Sequence, residues 1–200
     1  MSPASTPSDH SFYRYHRYLL QESPFGYLYR RFLLYPYLRW ILGPRFLDVG
    51  CGKGVFLGFG NPKQCLGLDI NSYNVFYIRK RGLRSDLIDF PNPFPVSDSS
   101  FPACILDQVL EHVEDPDYLL SEIYRALQPG AIFLVGLPCE KGFEADPDHK
   151  VFYTYDSLCS LVLQNPSFKY ERHFYFPFNS RFFGNIFSFN YLYVIFRKAI

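Results

Sequence analysis

Past residue 43 the chain alternates short apolar runs with stretches that are apolar on one face only. The runs at 45–49, 65–69, 83–87, 103–106 and 131–137 have strand length and read as five β-strands. The last of them is almost wholly apolar, as a strand buried on both faces should be. Between them, helices are predicted around 55–58, over 71–81 and over 117–127. The third carries Leu119, Leu120, Ile123, Tyr124 and Leu127 on one face and stops at Pro129-Gly130. A further helix is predicted at 156–163, followed by strands at 169–176 and 191–197 joined by a loop with Gly184. Such alternation implies a parallel sheet with helices on both faces. The last two strands, joined without a crossover, imply an antiparallel strand at one edge.

The first 43 residues have a different texture. Residues 1–9 are polar with nothing to bury and are expected to be a disordered tail. Residues 10–43 are aromatic and basic at helical spacing and are expected to form a helical lid. Ser23-Pro24 offers a cap and first turn, Pro36 a break or kink, and Gly43-Pro44 the end. The remaining 44–200 form the main domain.

Composition narrows the function. The chain has 200 residues and a net charge of +1, which argues against a broad basic face for nucleic acid. No apolar run is long enough to span a membrane, and the amino terminus lacks a secretory h-region. Cys51, Cys65, Cys104, Cys139 and Cys159 are scattered and never spaced as CxxC. They point to reduced thiols, a cytoplasmic location and no metal site. Aromatic residues make up 20% of the chain, which means either an aromatic core or a groove for an apolar or sugar-like ligand. Arg14, Arg17, Arg30, Arg31 and Arg39 interleave with aromatics. They read as the wet face of the cap, or as a contact for acidic lipid or a phosphorylated or glycan acceptor.

Candidate chemistry concentrates in Asp48-Val49-Gly50-Cys51-Gly52-Lys53-Gly54, at the end of the first strand. Glycines there permit a tight turn and close approach of a ligand to the backbone. A dinucleotide fingerprint would need glycine at position 55, which is Val55, and no GxxxxGK[ST] exists. The acid Asp48 disfavours a pyrophosphate and favours a cationic ligand. Asp69 ends the next strand, 21 residues on, where acids accept hydrogen bonds from ribose hydroxyls.

The Asp48-x-Gly50-x-Gly52-x-Gly54 loop resembles motif I of the class I S-adenosylmethionine-dependent methyltransferases, and Gly67-Leu68-Asp69-Ile70 resembles their second motif. Ser85-Asp86-Leu87 stands where that family places an acid for the adenine amino group, with Asp89 close enough to be the contact instead. Residues 101–113, including Asp107, Gln108 and His112, resemble the fourth strand and the loop over the methionine end. Leu127-Gln128-Pro129-Gly130-Ala131 resembles the turn before the fifth strand. Pro102 and Ala131 depart from the pattern at positions not expected to touch cofactor.

The resemblance implies a Rossmann-like α/β fold of seven strands with the last antiparallel, and S-adenosylmethionine as cofactor, released as S-adenosylhomocysteine. It implies cofactor contacts from Asp48, Gly50, Cys51, Gly52, Gly54, Asp69, Ile70, Asp86, Leu87, Asp107 and Gln108. His112, and His149 in the loop after the fifth strand, are the candidate catalytic residues. Tyr13, His16 and neighbouring tyrosines are expected to face them from the lid. The expected acceptor is a small molecule or a lipid- or glycan-linked one, with peripheral membrane contact allowed and oligomeric state open. A non-catalytic S-adenosylmethionine-binding regulator is the alternative, and a nicotinamide oxidoreductase is disfavoured.

Overall fold

The strand runs assemble into one sheet whose central strands, β1, β2, β4, β5 and β7, are buried on both faces and must be covered twice. In a computed structural model, which describes residues 9–20 and 24–200, five parallel strands come first. They are β1 (Leu47–Val49), β2 (Leu66–Asp69), β3 (Ser85–Leu87), β4 (Phe101–Asp107) and β5 (Leu127–Pro138). β6 (Phe168–Phe176) and β7 (Tyr191–Lys198) complete the order β3-β2-β1-β4-β5-β7-β6. β7 runs antiparallel to both neighbours and sits one place in from the edge, not on it. The reason is burial. Tyr191 to Phe196 are all buried, whereas 169–173 of β6 face water, so the apolar strand of the hairpin goes inside.

Helices cover both faces. α1 (Asp9–Leu20), α2 (Pro24–Tyr29), α3 (Tyr35–Leu42) and α4 (Ser72–Lys80) precede α5 (Asp117–Ala126), α6 (Glu140–Glu144) and α7 (Tyr155–Val162). Leu38 and Leu42 of α3 and Ile78 of α4 pack with Ile105 and Leu134 on one face. Leu119 and Ile123 of α5 and Leu158 of α7 pack with Val49, Phe133 and Val135 on the other. Buried Lys198 donates to the carbonyls of Tyr124 and Leu127 at 2.8 and 2.7 Å, closing the carboxyl end of α5. Thr154 and Ser157 form a reciprocal cap at the start of α7.

Three expectations change. The helix expected around 55–58 is only a 3₁₀ turn, Leu57–Phe59, because Gly58, Gly60 and Pro62 leave no run of helix-forming residues. Pro36 does not break its helix. The turn before it widens to a π-helix, Arg30–Leu34, in which the Tyr35 N–H bonds to the Arg30 carbonyl. The expected tail ends sooner, since Asp9 already opens α1; its first eight residues, and the Ser23 cap, lie outside the described residues. Among the described residues no helix is long and apolar enough to cross a membrane.

Candidate functional site

The site lies where β1, β2 and β4 end side by side. Gly50, Gly52 and Gly54 hold φ of +71°, +52° and +68°, a region that side chains with a Cβ resist. At Gly50 a Cβ would also collide with Cγ2 of Val109, so this turn has no room for alanine. The Gly52 N–H donates to Asp69 Oδ2 at 2.7 Å, and the Asn71 N–H donates to Asp69 Oδ1 at 2.8 Å. Two amides thus fix the carboxylate while leaving lone pairs on both oxygens. Burial raises the Asp69 pKa to about 6.

Two more acids flank it. Asp48 is buried with Oδ2 unpartnered, and burial plus the charges of Asp107 and Asp69 push its carboxyl up. Asp107 accepts from the Tyr193 hydroxyl at 3.1 Å; burial raises it while the Arg30 guanidinium pulls it back down. Arg30, read from sequence as a water-facing residue, instead turns inward and donates to the Tyr191 hydroxyl at 3.3 Å. Gln108 holds φ +57°, rare for a residue with a Cβ, and its buried Nε2 is unpartnered. Two buried acids, Asp48 and Asp69, and the half-buried Asp107, with unpartnered polar atoms beside them, suit a ligand that brings positive charge and hydroxyl groups. The residues therefore fit S-adenosylmethionine.

α1 lies across this cleft. Asn71 Nδ2 donates to the Phe12 carbonyl at 2.8 Å, and Lys53 Nζ caps the Leu19 carbonyl at 2.8 Å. His16 Nδ1 bonds Asn74 Oδ1 at 2.7 Å, and Leu19 reaches within 3.5 Å of the Cβ position at Gly52. Tyr13 and His16, three residues apart, share a helix face and pack on Tyr73 of α4. They do not face the two histidines, as the sequence suggested. Tyr15, on the neighbouring face, approaches His112 with ring centroids 6.5 Å apart.

His112 and His149 meet with centroids 4.8 Å apart. Between their chains lies Glu111, 1% exposed, with neither carboxylate oxygen hydrogen-bonded. Burial raises its pKa to about 8, and Oε1 sits 3.8 Å from His149 Nε2. Glu111 lies within the 101–113 stretch but has no local feature that singles it out. Its spacing matches that of a solvated helix-end acid, and only the fold buries it.

Other expected contacts fall differently. Cys51 tucks its sulfur 2.7 Å from the Cβ position at Gly67, beneath the loop, where burial raises its thiol. Ile70 and Leu87 are exposed. Asp86 is not brought to the cleft: Arg79 holds it at 2.6 Å, and it lines a cavity with Arg45, Lys63 and Ser100 at the amino ends of the strands. Asp86 lies within β3, opposite Leu68 and short of the carboxyl end, whereas Asp89 lies in the loop beyond it.

Residues 47–135 match a family described as a methyltransferase domain. A probable S-adenosylmethionine-dependent methyltransferase of Mycolicibacterium smegmatis is 35% identical over 96 residues, 46% of this chain and 37% of that protein. A sterol 24-C-methyltransferase of Pneumocystis carinii is 31% identical over 124 residues, 54% of this chain and 32% of that protein. The chain thus spans about a third of the length of these relatives. Among solved structures, the N-methyltransferase NodS of Bradyrhizobium japonicum, in complex with S-adenosylhomocysteine, superposes with a TM-score of 0.69 at 16% identity, covering 94% of this chain and 97% of that one. A methyltransferase of Archaeoglobus fulgidus gives 0.65 at 19% identity, covering 88% and 100%. The glycine turn, the acids at or near the ends of β1, β2 and β4, the strand order and these likenesses agree: residues 47–135 match a methyltransferase domain, and the chain has the fold of S-adenosylmethionine-dependent methyltransferases.

Proposed function

We propose that the protein transfers a methyl group from S-adenosylmethionine to a small organic or lipid- or glycan-linked acceptor that binds between α1 and the loop after β5. The observation that carries this reading is the cleft itself, with its buried acids below and α1 above. When bound, the cofactor supplies an activated methyl group on a sulfonium, so the protein need not generate a strong nucleophile. Asp69 would accept from the ribose hydroxyls, the Gly50–Gly54 turn would let the ligand approach the backbone, and Asp48 and Asp107 would favour its positive charge. α1 would exclude water and align the acceptor, an effect that supplies ~7–11 kcal/mol when geometry is held.

Where the acceptor must lose a proton, His112 and His149 stand on that side of the cleft. Their Nδ1 atoms are engaged by the Asp148 and Phe143 carbonyls, at 3.2 and 2.8 Å, which leaves each Nε2 to act. Relatives named for a sterol and for 27-O-demethylrifamycin SV support an apolar organic acceptor, as do the aromatic residues of α1. The test is transfer of labelled methyl from S-adenosylmethionine into a metabolite extract. Label should enter an extractable small molecule with the wild type and not with Asp69→Ala. Label confined to protein or nucleic acid would overturn the acceptor class.

A further inference from the structure

We propose that Glu111, His112 and His149 form a binding site for a divalent transition-metal cation on the acceptor side of the cleft. The site rests on the methyltransferase reading only for its place beside the acceptor, and it changes the task of the two imidazoles from free base to ligand. Three features carry it.

The first is the state of the imidazoles. A carbonyl only accepts, so Nδ1 of each ring, engaged by the Asp148 and Phe143 carbonyls, carries its hydrogen. Each Nε2 then holds a lone pair. Metal-ligating histidines are oriented in this way, with the far N–H tied to a carbonyl. Phe143 also stacks on His149 with centroids 5.2 Å apart and fixes the ring plane.

The second is Glu111. Its carboxylate is buried, aimed at His149 Nε2 and has no hydrogen-bond partner. A buried carboxylate without a partner is costly, and a coordinated cation removes that cost. Lys150, next in the loop, does not serve: it turns outward to Glu114 at 3.4 Å.

The third is preorganisation. The backbone carbonyl of Glu111 accepts from the N–H groups of Lys150 and Val151 at 2.7 and 3.1 Å. This staples the loop carrying His149 to the turn carrying Glu111 and His112. The three sets of ligand atoms converge within 4.8 Å of one another. Ligands around an ion at ~2.1 Å sit ~3.4 Å apart in a tetrahedron, so a rotamer-scale movement closes the set. Two imidazole nitrogens and one carboxylate favour zinc, manganese or iron over calcium or magnesium. Three protein ligands leave positions open for an oxygen or nitrogen of the acceptor.

The experiment uses the full chain, with Mn²⁺ followed by electron paramagnetic resonance and Zn²⁺ by calorimetry. One equivalent should bind saturably. Glu111→Gln, which keeps shape, and His149→Ala should each weaken binding at least ~10-fold. His173→Ala, on the exposed face of β6, should not change it. Thermal melts check folding, and Glu111→Gln decides the matter if His149→Ala does not fold. Absence of saturable binding of either ion to the wild type, or unchanged affinity in Glu111→Gln, overturns the site. S-adenosylhomocysteine binding is measured in parallel. Product binding without metal binding refutes the metal site and leaves the methyltransferase reading standing; metal binding without product binding does the reverse.

Discussion

Asp69 joins the loop and the helix. Its two oxygens hold the Gly52 and Asn71 amides, so they position the glycine turn and the first turn of α4. Asp69→Ala should cut S-adenosylhomocysteine affinity at least ~10-fold, since hydrogen bonds to a charged group are worth ~1.5–3 kcal/mol each. It should also lower the melting temperature, because two buried N–H groups lose their acceptor. Unchanged affinity in calorimetry would reduce Asp69 to a turn residue. The pH dependence has a definite sign. With a folded pKa of about 6, Asp69 takes up its proton as pH falls through that value. Under the proposed function the carboxylate is the form that would accept from ribose, so affinity should decline between pH 7 and pH 5. Asp69→Asn should flatten that profile. At Gly50, alanine meets both the positive φ and Val109, so Gly50→Ala should lower the melting temperature and abolish product binding, whereas Gly43→Ala should leave product binding intact. Asp69 and the glycines were legible in the sequence because they follow strands whose ends are visible in the hydrophobic pattern. Glu111, Asn71 and Asn74 were not, because burial and convergence across many residues leave no local trace.

At the scale of elements, α1 is the part that lies across the cleft. Its ties to the body include His16 to Asn74, Phe12 to Asn71, Leu19 to Lys53, and ring contacts with Tyr73, Tyr77 and His112. An element held through single hydrogen bonds and ring edges can open, as ligand entry requires. Amide exchange in α1 should therefore slow when S-adenosylhomocysteine is added. Removing residues 1–22 should spare most product binding and abolish methyl transfer. A truncated chain with full turnover would make α1 a packing element. The sequence indicated a helical cap through its aromatic spacing, yet the facing was misassigned. Tyr13, Tyr15 and His16 are too close in sequence for spacing alone to say which face meets α4. Asp86 shows the same limit in a strand: its register against β2, Asp86 opposite Leu68, depends on partners that the local pattern does not contain. The π turn before Pro36 was not foreseeable either, since a proline signals a break unless packing of Leu34 and Tyr35 holds the helix together.

At the scale of the whole molecule, much of the aromatic content goes into packing. Phe178, Phe183, Phe187 and Phe189 stack on one another in the loop between β6 and β7, and Tyr29 joins Phe189 and Phe176. The sheet that this packing supports sets the ends of β1, β2 and β4 side by side. On the proposed function this cleft binds the sulfonium cofactor and not a dinucleotide. Calorimetry of the full chain with S-adenosylmethionine, S-adenosylhomocysteine and NAD tests it most directly. One equivalent of each of the first two should bind, and NAD should show no heat of binding. NAD binding with neither sulfur ligand taken up would contradict the account.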